Sequence, residues 1–281
     1  MIDLTRHHLF DGAMGTMLQS MGLEAGQCPE LLNLSQPETV TAVHVAYAAA
    51  GADILTANTF GASRRKLGQD PAPCIAAGIT LARRAAENCG HTAYVALDVG
   101  PLGALLAPMG ELSFDEAYSL FAEIMDAGAA AGADLILIET MSDLLEAKAA
   151  LLAAKERTTL PVFVTMTFGE DGRTFLATEP AAAAVTLTSL GADVVGINCS
   201  LGPKELREPF QKMIAATHLP VMIQPNAGLP RLENGQTVFD VEPEAFAACA
   251  EDFLQDGAAI LGGCCGTTPD HIRALRPLLE G

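Results

Sequence analysis

Basic residues are scarce in this sequence. Five lysines and 11 arginines stand against 34 acidic residues, for a net charge of −18. The longest basic cluster is only Arg64-Arg65-Lys66. Nucleic acid and anionic membrane are bound through clustered cations that release counterions, so both are excluded as partner classes. Long apolar runs are missing too. The longest uncharged stretch, 213–230, has 18 residues but carries three prolines with His218, Gln224 and Asn226, which does not suit a spanning helix. The opening MIDLTRHHLFDGAMG has no apolar segment of signal-peptide length. Nor is there an even cysteine count: seven cysteines, two of them adjacent, do not make a disulfide framework. These absences predict a soluble protein of a reducing compartment, the cytoplasm, whose cysteines are buried thiols or ligands. Half of the residues are hydrophobic, enough for a large core, which excludes disorder for the bulk of the chain.

A loose repeat runs through the chain. AGADILTANTF (50–60), AGADLILIETM (131–141), LGADVVGINCS (190–200) and DGAAILGGCCG (256–266) each place Gly-Ala before a short apolar run that ends in small polar residues. The glycine suits a helix C-terminus, and the run suits a strand buried on both faces. AYVALDVGPLG (93–103), PVFVTMTFG (161–169), PVMIQPNAG (220–228) and HLFDGAMG (8–15) supply four more. Eight strands are therefore predicted, centred near residues 10, 54, 95, 136, 164, 195, 222 and 260. Helical spacing fills the gaps. Ala117, Leu120, Phe121, Ile124 and Met125 form one stripe behind a Ser113/Glu116 capping box. Phe246, Cys249, Ala250, Phe253 and Leu254 form another, stopped by Gly257. Segments 143–156 and 180–190 also read as helices. Strands alternating with helices in this number predict an α/β protein, a (β/α)8 TIM barrel forming one domain over 1–281. A doubly wound open sheet is the rival, but DGAMGT is not its glycine fingerprint.

Barrel enzymes work at the C-terminal ends of their strands. Those ends are polar here: Asp11-Gly12, Asn58-Thr59, Asp98, Glu139-Thr140, Thr165-Thr167, Asn198-Cys199, Gln224-Asn226 and Cys264-Cys265. Cys199 ends the sixth strand, while Cys264 and Cys265 end the eighth. If Gly262-Gly263 and Gly266 let the backbone turn, both adjacent thiols can face one metal with Cys199. Three thiolates suit Zn²⁺ and leave its fourth position open; buried apolar thiols are the alternative. Cys249 is expected in the core, and Cys28, Cys74 and Cys89 have no partner at ligand spacing. The histidines show neither H-x-x-x-H nor H-E-x-x-H, and His44 and His271 are expected in packing or surface roles. No lysine falls in a strand, which disfavours a Schiff-base aldolase.

GINCS (196–200), QPNAG (224–228) and GGCCGTTPDHI (262–272) resemble the zinc-binding segments of the homocysteine S-methyltransferases. DGAMGTMLQ (11–19), PELLNLSQPE (29–38), ANTFGAS (57–63), DVGPLG (98–103) and ETM (139–141) match the same family in order. The resemblance implies a zinc-bearing (β/α)8 barrel that methylates homocysteine to methionine. By the same resemblance Cys199, Cys264 and Cys265 are the ligands, with Asn226 as a resting fourth ligand that substrate sulfur displaces. It implies that backbone N–H groups of Gly12, Ala13 and Met14 bind the substrate carboxylate. The ammonium then falls to Glu139 and Asp11, with Asn58 and Asp98 as weaker candidates; capping of a strand end is the other reading of Asp11 and Asp98. The first motifs are most similar to the homocysteine domain of cobalamin-dependent methionine synthase. A methylcorrinoid such as methylcobalamin would then come from a partner protein or from further domains, since no D-x-H-x-x-G is present. S-methylmethionine or S-adenosylmethionine is the alternative donor, and a non-catalytic zinc or small-molecule-binding barrel the alternative function.

Overall fold

The computed structural model describes residues 2–24, 26–233 and 236–280. All eight expected strands form. They are β1 (His8–Leu9), β2 (Ile54–Thr56), β3 (Tyr94–Val99), β4 (Leu135–Met141), β5 (Val162–Met166), β6 (Val194–Asn198), β7 (Val221–Gln224) and, after a hairpin of β8 (Arg231–Glu233) and β9 (Gln236–Val238), β10 (Ile260–Leu261). The sheet runs β1-β10-β7-β6-β5-β4-β3-β2, with parallel pairing throughout. A parallel bridge between Phe10 and Ile54 closes it, supported by Asp11 N–H donating to Ile54 O at 3.0 Å and Asp53 N–H to Leu9 O at 2.7 Å. This is a (β/α)8 barrel.

The helices are α1 (Gly15–Ser20), α2 (Leu32–Ser35), α3 (Pro37–Ala49), α4 (Arg64–Leu67), α5 (Ala72–Glu87), α6 (Phe114–Ala130), α7 (Leu144–Arg157), α8 (Pro180–Ser189), α9 (Arg207–Ile214), α10 (Pro243–Gln255) and α11 (Pro269–Leu275). The Ser113/Glu116 capping box opens α6 as expected. Gly257, at φ +104°, follows α10. The described residues contain no helix long and apolar enough to cross a membrane. Cys249 departs from expectation: it is only half-buried, because Phe246, Ala250 and Phe253 carry the inner face of α10 and it sits at their edge.

Side chains alternate across each strand. Phe10, Ile54, Ala96, Leu135, Leu137, Phe163, Val194, Met222 and Ile260 fill the barrel interior, and Phe10 tilts against Phe163 with ring centroids 6.1 Å apart. Their neighbours Leu9, Leu55, Leu97, Ile136, Ile138, Val164, Val195, Ile223 and Leu261 pack outward against the helices. Two residues further along the same inward rows the chemistry changes. Ile54 gives way to Thr56, Ala96 to Asp98, Leu137 to Glu139, Phe163 to Thr165 and Met222 to Gln224. The pleat that builds the apolar plug therefore also delivers the polar groups above it.

Candidate metal centre and active site

Four of those inward positions, Thr56, Asp98, Glu139 and Gln224, line a cavity of about 280 Å³ at the C-terminal mouth of the barrel. Its wall includes Asp11, Glu30, Asp98 and Glu139, the backbone from Gly12 to Thr16, and Cys199, Cys264 and Cys265. The three Sγ atoms lie within 4.8 Å of one another, with Cys199 and Cys265 3.9 Å apart. A tetrahedral zinc with Zn–S bonds of about 2.3 Å spaces its sulfurs about 3.8 Å apart, so the cluster could hold one. The Asn226 side chain helps hold Cys199 as a thiolate, and its buried Oδ1 has no partner among the described residues. A sulfur trio beside an orphaned amide oxygen is a donor set that fits a metal.

The backbone at the two strand ends makes this convergence possible. Cys199 and Ser200, which follow β6, both take φ +61°. Few residues other than glycine adopt that conformation, and it costs about 1–3 kcal/mol where surrounding contacts enforce it. Here Cys199 N–H is tied to Gln224 O and Leu201 N–H to Cys199 O. At β10 only Gly266 has positive φ, +79°. Gly262 and Gly263 serve close approach instead. A Cβ on Gly263 would meet Thr267 Oγ1 at 2.5 Å, and one on Gly262 would meet the Phe10 Cβ at 2.8 Å. The turn expected at the glycines thus falls largely on Cys199.

Among themselves the three sulfurs share one negative charge. Hydrogen bonds from the Cys264 and Cys265 thiols hold Cys199 as a thiolate, down to about 3. The same bonds, with burial, hold Cys264 well above the usual thiol range and push Cys265 up to about 12. The carboxylates are displaced the other way. Burial pushes Asp11 up to about 7, and burial together with the Cys199 charge pushes Glu139 up to about 8. Asp98 is held well above its ordinary range by burial and then by Glu139. Among the described residues, no lysine or arginine lines the cavity. The wall is therefore matched to a cation entering with the ligand.

A homocysteine S-methyltransferase family model matches residues 8–279. The chain belongs to the homocysteine S-methyltransferase family. Methionine synthases of Mycobacterium leprae and Mycobacterium tuberculosis are each 36% identical over 94% of this chain. The chain spans 23% and 24% of their lengths, about a quarter. Among solved structures, the metallated form of the homocysteine methyltransferase MmuM from Escherichia coli superposes with a TM-score of 0.81 at 25% identity, over 97% of this chain and 96% of that one.

The other positions singled out in the sequence meet varied surroundings. Asp11 lines the cavity, but both its oxygens accept from Thr56, from Oγ1 at 2.6 Å and N–H at 2.8 Å, which ties the end of β1 to β2. Asp98 is buried with Oδ1 unpartnered among the described residues, so it faces the cavity with more unused capacity than Asp11. Asn58 is largely committed: its amide donates to Pro29 O at 2.8 Å and Asn33 Oδ1 at 2.9 Å. Ala13 gives its N–H to Thr267 Oγ1 at 3.2 Å. Gly12 holds its place because a Cβ there would lie 2.5 Å from that hydroxyl. Met14 N-caps α1, and Met14, Gly15 and Thr16, whose first-turn N–H groups have no helical partner, line the same cavity.

Several members of the site were not singled out individually in the sequence, though Glu30 and Thr267 lie within matched segments. Glu30 is buried on the cavity wall, accepting the Gly61 N–H and the Cys28 thiol at 2.7 Å. Thr267 donates to Cys264 O at 2.7 Å, and Tyr47 reaches from α3 to Ala13 O at 2.9 Å and Thr267 O at 3.0 Å. Together they join the loop after β1 to the paired cysteines. His44 is fully buried, and His271 caps α11 with Thr268, so neither reaches the sulfurs.

Proposed function

We propose that this chain, as one barrel domain over residues 1–281, is a zinc-dependent methyltransferase that converts homocysteine to methionine in the cytoplasm. The observation that carries this reading is the spacing of the Cys199, Cys264 and Cys265 sulfurs, which suits a tetrahedral metal. Those three residues would hold zinc, with Asn226 Oδ1 as the resting fourth donor. Bound there, zinc would hold a substrate thiol as thiolate, the nucleophilic form that a thiol of pKa about 8.5 reaches only to a few per cent at neutral pH.

The rest of the cavity orients the amino acid. Glu139 and Asp98 take the ammonium, with Asp11 behind them, and its positive charge restores these displaced carboxyls to their ionised forms. The substrate carboxylate lies against the main chain of Gly12 and Met14 and the first turn of α1, where N–H groups favour an anion, while the Ala13 N–H stays on Thr267. Asn58 shapes that wall through its bonds to Pro29 and Asn33. No protein base is needed once the thiol is ionised, so the residues act by positioning.

The methyl group comes from a methylcorrinoid on a partner or on further domains. The similarity to methionine synthases more than four times the chain's length supports this donor. A sulfonium donor, S-methylmethionine or S-adenosylmethionine, is the second reading, favoured by four cavity carboxylates with no lysine or arginine among them. Zinc-loaded protein incubated with homocysteine and each donor separately tests the proposal. Methionine formed with a methylcorrinoid protein supports it, and methionine from a sulfonium alone supports the second reading. Methionine from no donor leaves a zinc-binding barrel.

A further inference from the structure

Asn198, the last residue of β6, is fully buried, yet its amide reaches both halves of the site. Its Oδ1 accepts the Thr140 N–H and the Thr165 hydroxyl, each at 2.8 Å. Its Nδ2 donates to Thr140 Oγ1 at 2.8 Å and to Glu139 Oε2 at 3.1 Å, and lies 3.8 Å from the Cys264 sulfur. The partners fix the orientation of the amide: the oxygen must face a backbone N–H, and the nitrogen must face a carboxylate and a sulfur. One side chain thus staples the ends of β4, β5 and β6.

The staple sits between two residues of left-handed backbone, one at a register irregularity within β4 and one just after β6. Thr140, next to Glu139, has φ +60°, and Cys199, next to Asn198, has φ +61°. The Thr140 N–H held by Asn198 belongs to that irregularity of β4, directly after Glu139, and both residues line the cavity. The amide nitrogen then lies between the carboxylate proposed to bind ammonium and a sulfur proposed to bind metal. With metal on the sulfurs and an ammonium in the cavity, Cys264 and Glu139 would both be anionic and repel each other, and a shared N–H donor keeps them together at a set spacing.

Resting on the function proposed above, we propose that Asn198 is a positioning residue for homocysteine, fixing Glu139 relative to Cys264 so that ammonium and thiol are held at once. It touches neither substrate nor the methyl group. Its removal should therefore weaken the match between the two ends of the ligand rather than metal binding itself.

The test uses the zinc-loaded protein and two ligands measured by calorimetry: homocysteine and 4-mercaptobutyrate, which has the thiol and carboxylate but no ammonium. Asn198→Asp keeps the shape and the acceptor oxygen while removing the N–H donors. Asn198→Ala removes both. Each is expected to retain zinc and to reduce the preference for homocysteine over 4-mercaptobutyrate by about tenfold to a hundredfold, as losing a hydrogen bond to a charged group would. Each should also shift the thiolate-to-metal charge-transfer band of the Co²⁺-substituted protein, a readout independent of substrate. Should Asn198→Ala fail to fold, Asn198→Asp decides alone. An unchanged preference and an unchanged Co²⁺ spectrum would overturn the inference while leaving homocysteine binding intact. Absence of homocysteine binding by the unsubstituted zinc protein would overturn it together with the functional reading beneath it.

Discussion

Cys265→Ala is expected to lower bound zinc from about one per chain to a small fraction and to reduce homocysteine methylation by roughly 10³-fold or more. Losing one thiolate leaves Cys199 and Cys264 as a bidentate remnant, and Asn226 alone cannot restore a tetrahedral site. Without the metal, a substrate thiol is only about 3% ionised at pH 7, which accounts for a loss of about thirtyfold. Misplacement of the sulfur supplies the rest, at about a hundredfold for an error near 1 Å. The fold should survive, because Cys265 is half-buried on the cavity wall and belongs to neither packed layer of the barrel. Metal analysis and circular dichroism on the same preparation check both halves. Cys249→Ala is the control and should change neither, since Cys249 lies on α10, at the edge of its packed face.

Glu139→Gln is expected to weaken homocysteine binding by about a hundredfold, the order measured when one partner of an enclosed charge pair is removed. Binding of 4-mercaptobutyrate should change by no more than about threefold, and zinc content should stay the same. The same substitution should stabilise the metal-free protein at high pH. Glu139 keeps its proton in the folded chain up to about pH 8, whereas the unfolded chain releases it near 4.5. Between those values the folded state binds more protons, so its stability falls as pH rises from about 4.5 to about 8. Glutamine has no proton to lose and escapes that fall, while still accepting from Asn198. The gain should be on the order of 5 kcal/mol at pH 9 and vanish below pH 4.5, as read by urea unfolding at the two extremes. A residue costly to the empty fold and valuable to the ligand is what a binding site for a cation requires.

The barrel was legible because its signals are local. Each strand is a short apolar run after a glycine, and two-sided burial requires that composition whatever the neighbours are. The three cysteines were legible for a related reason, since strand ends in a barrel share one rim and the sequence marks those ends. What stayed hidden is long-range. Thr267 meets Ala13 across 254 positions, and Tyr47 reads as an ordinary apolar face of α3 until its hydroxyl is seen spanning two loops. Glu30 lies in a polar stretch with nothing to mark it as buried. The glycines beside Cys264 promised backbone freedom, but two of them serve close packing, and the left-handed turns fell on Cys199 and Ser200. Asp11 had two readings in sequence. Its two hydrogen bonds to Thr56 favour the structural one, while Asp98 keeps a buried oxygen without a partner among the described residues.

The central claim is that one metal gathers three protein sulfurs and then the sulfur of the substrate. X-ray absorption at the zinc edge, with and without homocysteine, tests it most directly. The account predicts three sulfurs and one lighter donor in the protein alone, changing to four sulfurs when homocysteine is added. A first shell that keeps its lighter donor in saturating homocysteine would contradict it.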